Sequence, residues 1–127
     1  SLAIAGLLGW RIGVVTVEAE GLSLIEERIR LLGYGDRLIS LRYIEIPVLE
    51  LDTDIEKTKS ALLRESKRAI EEGAEVLVLG CTGLAGLSSW LSREIGIPVV
   101  DPALAALKML EALVELGLRQ SEKRYRY

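Results

Sequence analysis

A chain of 127 residues fits one domain with a single apolar core and is too short for two complete ones. Half of its residues are hydrophobic and 28% are charged, which argues against disorder, and 19 acids against 16 bases leave a formal net charge of −3, with no basic field to gather nucleic-acid phosphates. Histidine is absent, which removes imidazole metal ligands and Ser-His or Cys-His pairs, and the single cysteine excludes an internal disulfide.

The chain begins at Ser1 and its one methionine is Met109. Residues 2–8 read as the end of an apolar helix entering a strand, which favours truncation of a longer chain. The first strand is expected from Arg11 to Val17, and Leu22, Ile25, Ile29 and Leu32 then recur at helical spacing up to Gly33. A second strand from Ile39 to Ile46 alternates Ile39, Leu41 and Tyr43 against Ser40 and Arg42, and with Pro47 at its end it suits a sheet edge.

A charged helix follows from Thr53 to Glu72, with Ile55, Leu62, Ala69 and Ile70 inward and Lys57, Lys59, Arg64, Lys67 and Arg68 on a solvated face. Val76 to Leu79 is continuously apolar, as a central strand buried on both faces should be. After Gly80-Cys81-Thr82-Gly83 a helix carrying Leu84, Leu87, Trp90 and Leu91 runs to Gly96. A strand from Ile97 to Val100 and an Ala- and Leu-rich helix from Ala103 to Leu116 complete the pattern. Four strands alternating with helices, joined by right-handed crossovers, predict an α/β fold: a flavodoxin-like, doubly wound parallel four-stranded sheet in order 2-1-3-4, with helices on both faces.

No apolar run reaches the ~18 residues that span a bilayer and no signal-peptide pattern opens the chain, so the expected location is cytoplasmic, with neither membrane nor nucleic acid as partner. The basic tail of Arg119, Lys123, Arg124 and Arg126, with Tyr125 and Tyr127, reads as solvated and is assigned no function.

Ligands of doubly wound sheets bind beyond the carboxyl ends of the strands. The informative turn there is Gly80-Cys81-Thr82-Gly83. A thiol between a buried strand and a helix N-terminus meets unpaired N–H groups and a positive dipole end, which favour thiolate. Gly80 and Gly83 allow close approach of a ligand and Thr82 adds a hydroxyl, so the turn reads as a thiol acid/base beside a small-anion cradle; the alternative is a small buried hydrophobe at Cys81. Thr16 either hydrogen-bonds a ligand or is simply a β-branched strand residue, and Glu18 reads as exposed. Asp101-Pro102 suits an N-cap followed by proline at the first helical position. The glycines form neither a dinucleotide fingerprint nor a P-loop.

Residues 73–87, Gly-Ala-Glu-Val-Leu-Val-Leu-Gly-Cys-Thr-Gly-Leu-Ala-Gly-Leu, followed by Gly96-Ile97-Pro98-Val99-Val100-Asp101, resemble hydantoin racemases of the aspartate/glutamate/hydantoin racemase superfamily. The resemblance extends to residues 10–16 and 44–49. It implies a cofactor-independent isomerase, with no metal or organic cofactor, built of two similar α/β domains with the active site between them. Residues 1–127 would then be the C-terminal half, with the N-terminal half as its missing partner and a small carboxylate or hydantoin as substrate.

By the same resemblance Cys81 corresponds to one thiol of a two-cysteine acid/base pair, and Thr82 and Gly83, after Gly80, fall on the anion-holding turn beside it. Thr16 falls on the loop after the first strand, where Val17 replaces a second threonine and removes one hydroxyl donor from that part of the substrate site. The partner cysteine lies outside this chain, so the chain alone is expected not to racemise. Two alternatives remain: a one-cysteine enzyme resembling arylmalonate decarboxylase, and a non-catalytic small-anion-binding module. A half-protein should also expose apolar surface and in isolation either self-associate as a homo-oligomer or dissolve poorly.

Overall fold

A computed structural model describes residues 1–123 and arranges four strands, β1 (Ile12–Val17), β2 (Leu38–Ile44), β3 (Val76–Leu79) and β4 (Val99–Val100), in the order β2-β1-β3-β4. Every strand pair is parallel, with Val14 beside both Leu41 and Val78. Five helices flank the strands: α1 (Leu2–Leu8), α2 (Leu22–Leu31), α3 (Ile55–Glu71), α4 (Ser88–Ile95) and α5 (Pro102–Glu115). The expected topology and strand order are observed. In the tail, Arg119 and Lys123 are exposed, whereas Arg124, Tyr125, Arg126 and Tyr127 lie outside the described residues.

Successive side chains of a strand point to opposite faces, and this divides the core. Val15, Leu79 and Ile44 pack with Leu62 of α3 and Leu91 of α4, whereas Ile12, Val14, Val76 and Val78 pack with Ala5 of α1 and Ile29 of α2. All six residues of β1 and all four of β3 are buried, the signature of strands covered on both sides. The chain leaves β1 toward β2 and later crosses back to β3, so the topological switch point, where a doubly wound sheet opens a crevice, lies between the carboxyl ends of β1 and β3.

The edge strand departs from the expected alternation. Ser40 and Ile44 are the buried residues of β2, while Ile39, Leu41, Arg42 and Tyr43 are half-buried. The reason is α3, which lies against β2 and buries Glu65 among its expected solvated charges. Ile55, expected inward, is exposed because it opens the helix and the buried stripe begins a turn later at Thr58. Arg42 reaches across to Glu65 at 3.2 Å and also pairs with Glu72, and Arg64 and Arg68 join Glu65 at 3.1 and 2.9 Å.

Burial alone would push the Glu65 carboxyl up, but the hydrogen bond from Arg64, the charge and hydrogen bond of Arg68 and the hydrogen bond from Arg42 outweigh it and hold the carboxyl below its ordinary value. A carboxyl depressed in the folded state contributes stability above its unfolded pKa and loses it as pH falls through the folded one. Glu65→Gln is therefore expected to cost about 2 kcal/mol in urea unfolding at neutral pH, because it leaves half-buried Arg42 short of a charge. The gap to the parent should narrow as pH falls below the ordinary glutamate value and close only once it passes the depressed folded-state one, where the parent's own carboxylate is neutralised. A cost that does not change with pH would mean that packing, not charge, holds this edge.

Candidate functional site

The carboxyl end of β1 delivers Thr16, Val17 and Glu18, and that of β3 delivers Gly80, Cys81, Thr82 and Gly83. Gly80 still belongs to the ladder, its N–H donating to the Val15 carbonyl at 2.8 Å. A Cβ built on Gly80 would stand 2.8 Å from the Thr16 Cβ, 3.0 Å from its Oγ1 and 3.1 Å from Val14 Cγ1. Glycine is what lets the backbone of one strand end lie against the threonine of the other. Thr16 is buried, on the sheet face that carries Val14 and Val78.

Cys81 turns to the opposite face. Its backbone is extended, with φ −131° and ψ 136°, and its half-buried side chain packs against the cluster that α3 and α4 complete. The Gly83 N–H donates to Cys81 Sγ at 3.3 Å, so the thiol caps the turn that follows it. A Cβ on Gly83 would meet Leu51 Cδ1 at 2.8 Å and Cys81 Sγ at 3.4 Å. The segment after β2 therefore walls the thiol with Leu51, and Val48 stands just beyond it. Two groupings result: Thr16 with Gly80 on one side of the strand ends, and Cys81 with Gly83 and Leu51 on the other. Val17 is buried in the cluster with Ile44 and Leu51, so what it can offer a ligand is backbone.

The helix expected directly after this turn is not there. Thr82–Leu84 form a single 3-10 turn, Ala85 is extended, Gly86 takes φ +86°, and α4 begins only at Ser88. Leu84 and Leu87 keep helical spacing with Trp90 and Leu91, but a residue in the left-handed region interrupts the run. The helix dipole is thus not delivered to the thiol. In its place stand individual amides: among the described residues the N–H groups of Cys81 and Thr82 have no backbone acceptor, and Thr82 and Gly83 are exposed. Successive free amides in a turn make a concavity suited to a small anion.

Asp101 holds this arrangement from below. Its Oδ1 accepts from the Ala103 and Leu104 amides at 2.8 and 3.2 Å, the expected cap of α5, with Pro102 as the first helical residue. Its Oδ2 accepts from Gly86 N–H at 2.7 Å, a bond between residues fifteen apart that no local pattern announces. The left-handed Gly86 and the buried carboxylate are one device. Glu18 is exposed, as expected, but has φ +57° with ψ 140°, a strained conformation for a residue with a Cβ; its N–H is held by the Ile44 carbonyl at 3.2 Å.

A family model described as Asp/Glu/Hydantoin racemase matches residues 1–110. The chain belongs to this family. A hydantoin racemase of Pseudomonas sp. (strain NS671) is 36% identical over all of this chain and 52% of its own length, and one of Rhizobium meliloti is 34% identical over 96% and 51%. Among solved structures, an allantoin racemase from Pseudomonas fluorescens superposes with a TM-score of 0.89 at 40% identity, covering 94% of this chain and 52% of the other. That from Klebsiella pneumoniae gives 0.91 at 32%, covering 95% and 50%. The chain spans about half the length of these relatives. Among the described residues of this racemase-family chain, no helix is long and apolar enough to cross a membrane.

Proposed function

We propose that this chain is the C-terminal, thiol-bearing half of a two-domain, cofactor-independent racemase acting on a hydantoin-type cyclic ureide, with Cys81 as one of its two acid/base groups. The observation that carries this reading is the placement of Cys81 Sγ, held by the Gly83 N–H at the switch point beside the free amides of its own turn. The names of the relatives, hydantoin and allantoin racemases, support the substrate class.

Proton abstraction next to a carbonyl leaves negative charge on that carbonyl oxygen, and catalysis requires a base on one face of the carbon and donors where the charge develops. The Cys81 thiolate takes the proton. The amides of Cys81 and Thr82, with the Thr82 hydroxyl, receive the anionic part of the substrate, while Gly80 and Gly83 keep the backbone bare enough for it to approach. Thr16, buried on the other face of the sheet, packs against Gly80 and steadies the strand end that carries Cys81, and Val17 contributes backbone alone. A thiol on the opposite face of the carbon returns the proton. As Cys81 is the only cysteine here, that second thiol comes from outside these 127 residues.

The test is alkylation of Cys81 by iodoacetamide, followed by intact-mass spectrometry with and without hydantoin or allantoin. Occupancy should slow modification in proportion to ligand saturation. A rate indifferent to either ligand at high concentration would remove the thiol from the substrate site.

A further inference from the structure

Glu18 holds a backbone shape that a residue with a Cβ avoids. At φ +57° and ψ 140° it borders a region populated almost only by glycine, and among the described residues no other non-glycine residue has a positive φ. The bond from its N–H to the Ile44 carbonyl at 3.2 Å fixes it at the end of β1, two residues beyond Thr16, which lies against Gly80. The β1–β3 register sets Val15 beside Leu79 and, carried on past the strand ends, brings Glu18 level with Thr82. With neighbouring strands about 5 Å apart, the carboxylate stands on the order of 10 Å from the thiol, one Debye length at moderate salt. Glu18 also lines a cavity of about 300 Å³ with Glu20, Tyr43 and Glu45. Pro47 closes that cavity, and the next residue, Val48, stands beside Gly83 of the thiol turn. Among the described residues no cation forms an ion pair with any of these three glutamates, so the negative charge at this mouth is uncompensated.

We propose that Glu18 sets the charge of the substrate this site accepts, selecting neutral cyclic ureides over anionic amino acids; the inference rests on the reading of Cys81 as the acid/base thiol. The family is named for both kinds of substrate, acidic amino acids and hydantoin, and a carboxylate at the mouth separates the two. A substrate that arrives with net negative charge meets a like charge at Glu18, whereas a neutral ring meets none. Repulsion of the wrong substrate is one of the two ways in which a site gains specificity. The free amides of Cys81 and Thr82 then serve the charge that develops on the carbonyl oxygen during proton abstraction, not a charge brought in from solution. The backbone agrees with this assignment: glycine adopts such a conformation freely, so at position 18 a charged side chain is held against a conformational penalty.

The test compares alkylation of Cys81 by iodoacetate and by iodoacetamide, reagents that differ by one negative charge, on the purified chain at low ionic strength with intact-mass detection. A change in the thiolate population enters both rates alike and cancels in their ratio. Glu18→Gln should raise the iodoacetate-to-iodoacetamide ratio about threefold, the scale of one charge acting over that distance, and KCl at about 0.5 M should erase the difference from the parent. Glu18→Gly should raise the ratio equally and melt no lower than the parent, because it releases the strained backbone. Asp36→Asn, which removes an exposed carboxylate at the opposite end of the sheet, should leave the ratio where it was. An unmoved ratio in Glu18→Gln, or an equal rise in Asp36→Asn, overturns the proposal, as does a Glu18→Gly protein that melts below the parent. Hydantoin protection of the thiol separates the two ways of failing. Protection with an unmoved ratio keeps Cys81 in the substrate site and removes Glu18 from it, whereas absence of protection removes the substrate site itself.

Discussion

Replacing Cys81 with Ala is expected to lower exchange of the stereocentre proton of a hydantoin for solvent deuterium by at least about 1,000-fold, the scale on which a general base acts together with its oriented donors. The measurement is proton NMR in D₂O, made on the chain alone and on the chain supplemented with the complementary half of the Pseudomonas hydantoin racemase. Stereochemistry sharpens the expectation. A single thiol returns a deuteron to the face from which it took the proton, so the chain alone can exchange with retention but cannot racemise. With a second thiol on the far face, exchange should be accompanied by inversion, and polarimetry should register it. The Cys81→Ala protein should fold normally, since the parent side chain is half-buried and its bond to Gly83 N–H is a thiol contact on an exposed turn. Undiminished exchange in that variant would take the acid/base role away from Cys81. Inversion by the parent chain alone would show that a second proton donor lies within these 127 residues or in a second copy of them.

Much of this architecture is legible in the sequence because its signals are local. Ile12 to Val17 and Val76 to Leu79 are uninterrupted β-branched and aliphatic runs, and strands covered on both faces have no cause to alternate. Their order follows from crossover handedness, and the position of Cys81 follows from a glycine-flanked turn at the end of a buried run. What periodicity misses is decided by partners distant in the chain. Glu65 sits among Lys and Arg residues that read as a solvated face, and only Arg42, from the neighbouring strand, explains its burial. Leu84, Leu87 and Leu91 keep the spacing of one helix, but Asp101 captures the Gly86 amide and splits the segment. The same break removes the helix dipole expected at the thiol. Thr16 and Cys81 are both visible as strand-end residues, yet that they face opposite sides of the sheet depends on the pleat carrying through Gly80.

Asp101→Ala is expected to cost about 3 kcal/mol and to lower the melting temperature by roughly 10 °C, since three amides lose one buried acceptor together. The carboxylate is 5% exposed, so water cannot readily replace it. Loss of the α5 cap accounts for about 1 kcal/mol of this, and the orphaned Gly86 N–H for most of the remainder. Asp101→Asn separates the two contributions. Its carbonyl oxygen can still cap Ala103 and Leu104, but its NH₂ then faces the Gly86 N–H, donor against donor, so this variant should fall between parent and alanine. The consequence reaches the thiol. Gly86 anchors the segment after the Thr82–Leu84 turn, and freeing it should loosen the turn that holds Sγ, raising the basal rate of Cys81 alkylation and weakening any ligand protection in both variants. An alanine variant that loses under about 1 kcal/mol would reduce Asp101 to an ordinary helix cap. A loss near 3 kcal/mol with alkylation unchanged would mean that the bond to Gly86 stabilises the fold without positioning the site.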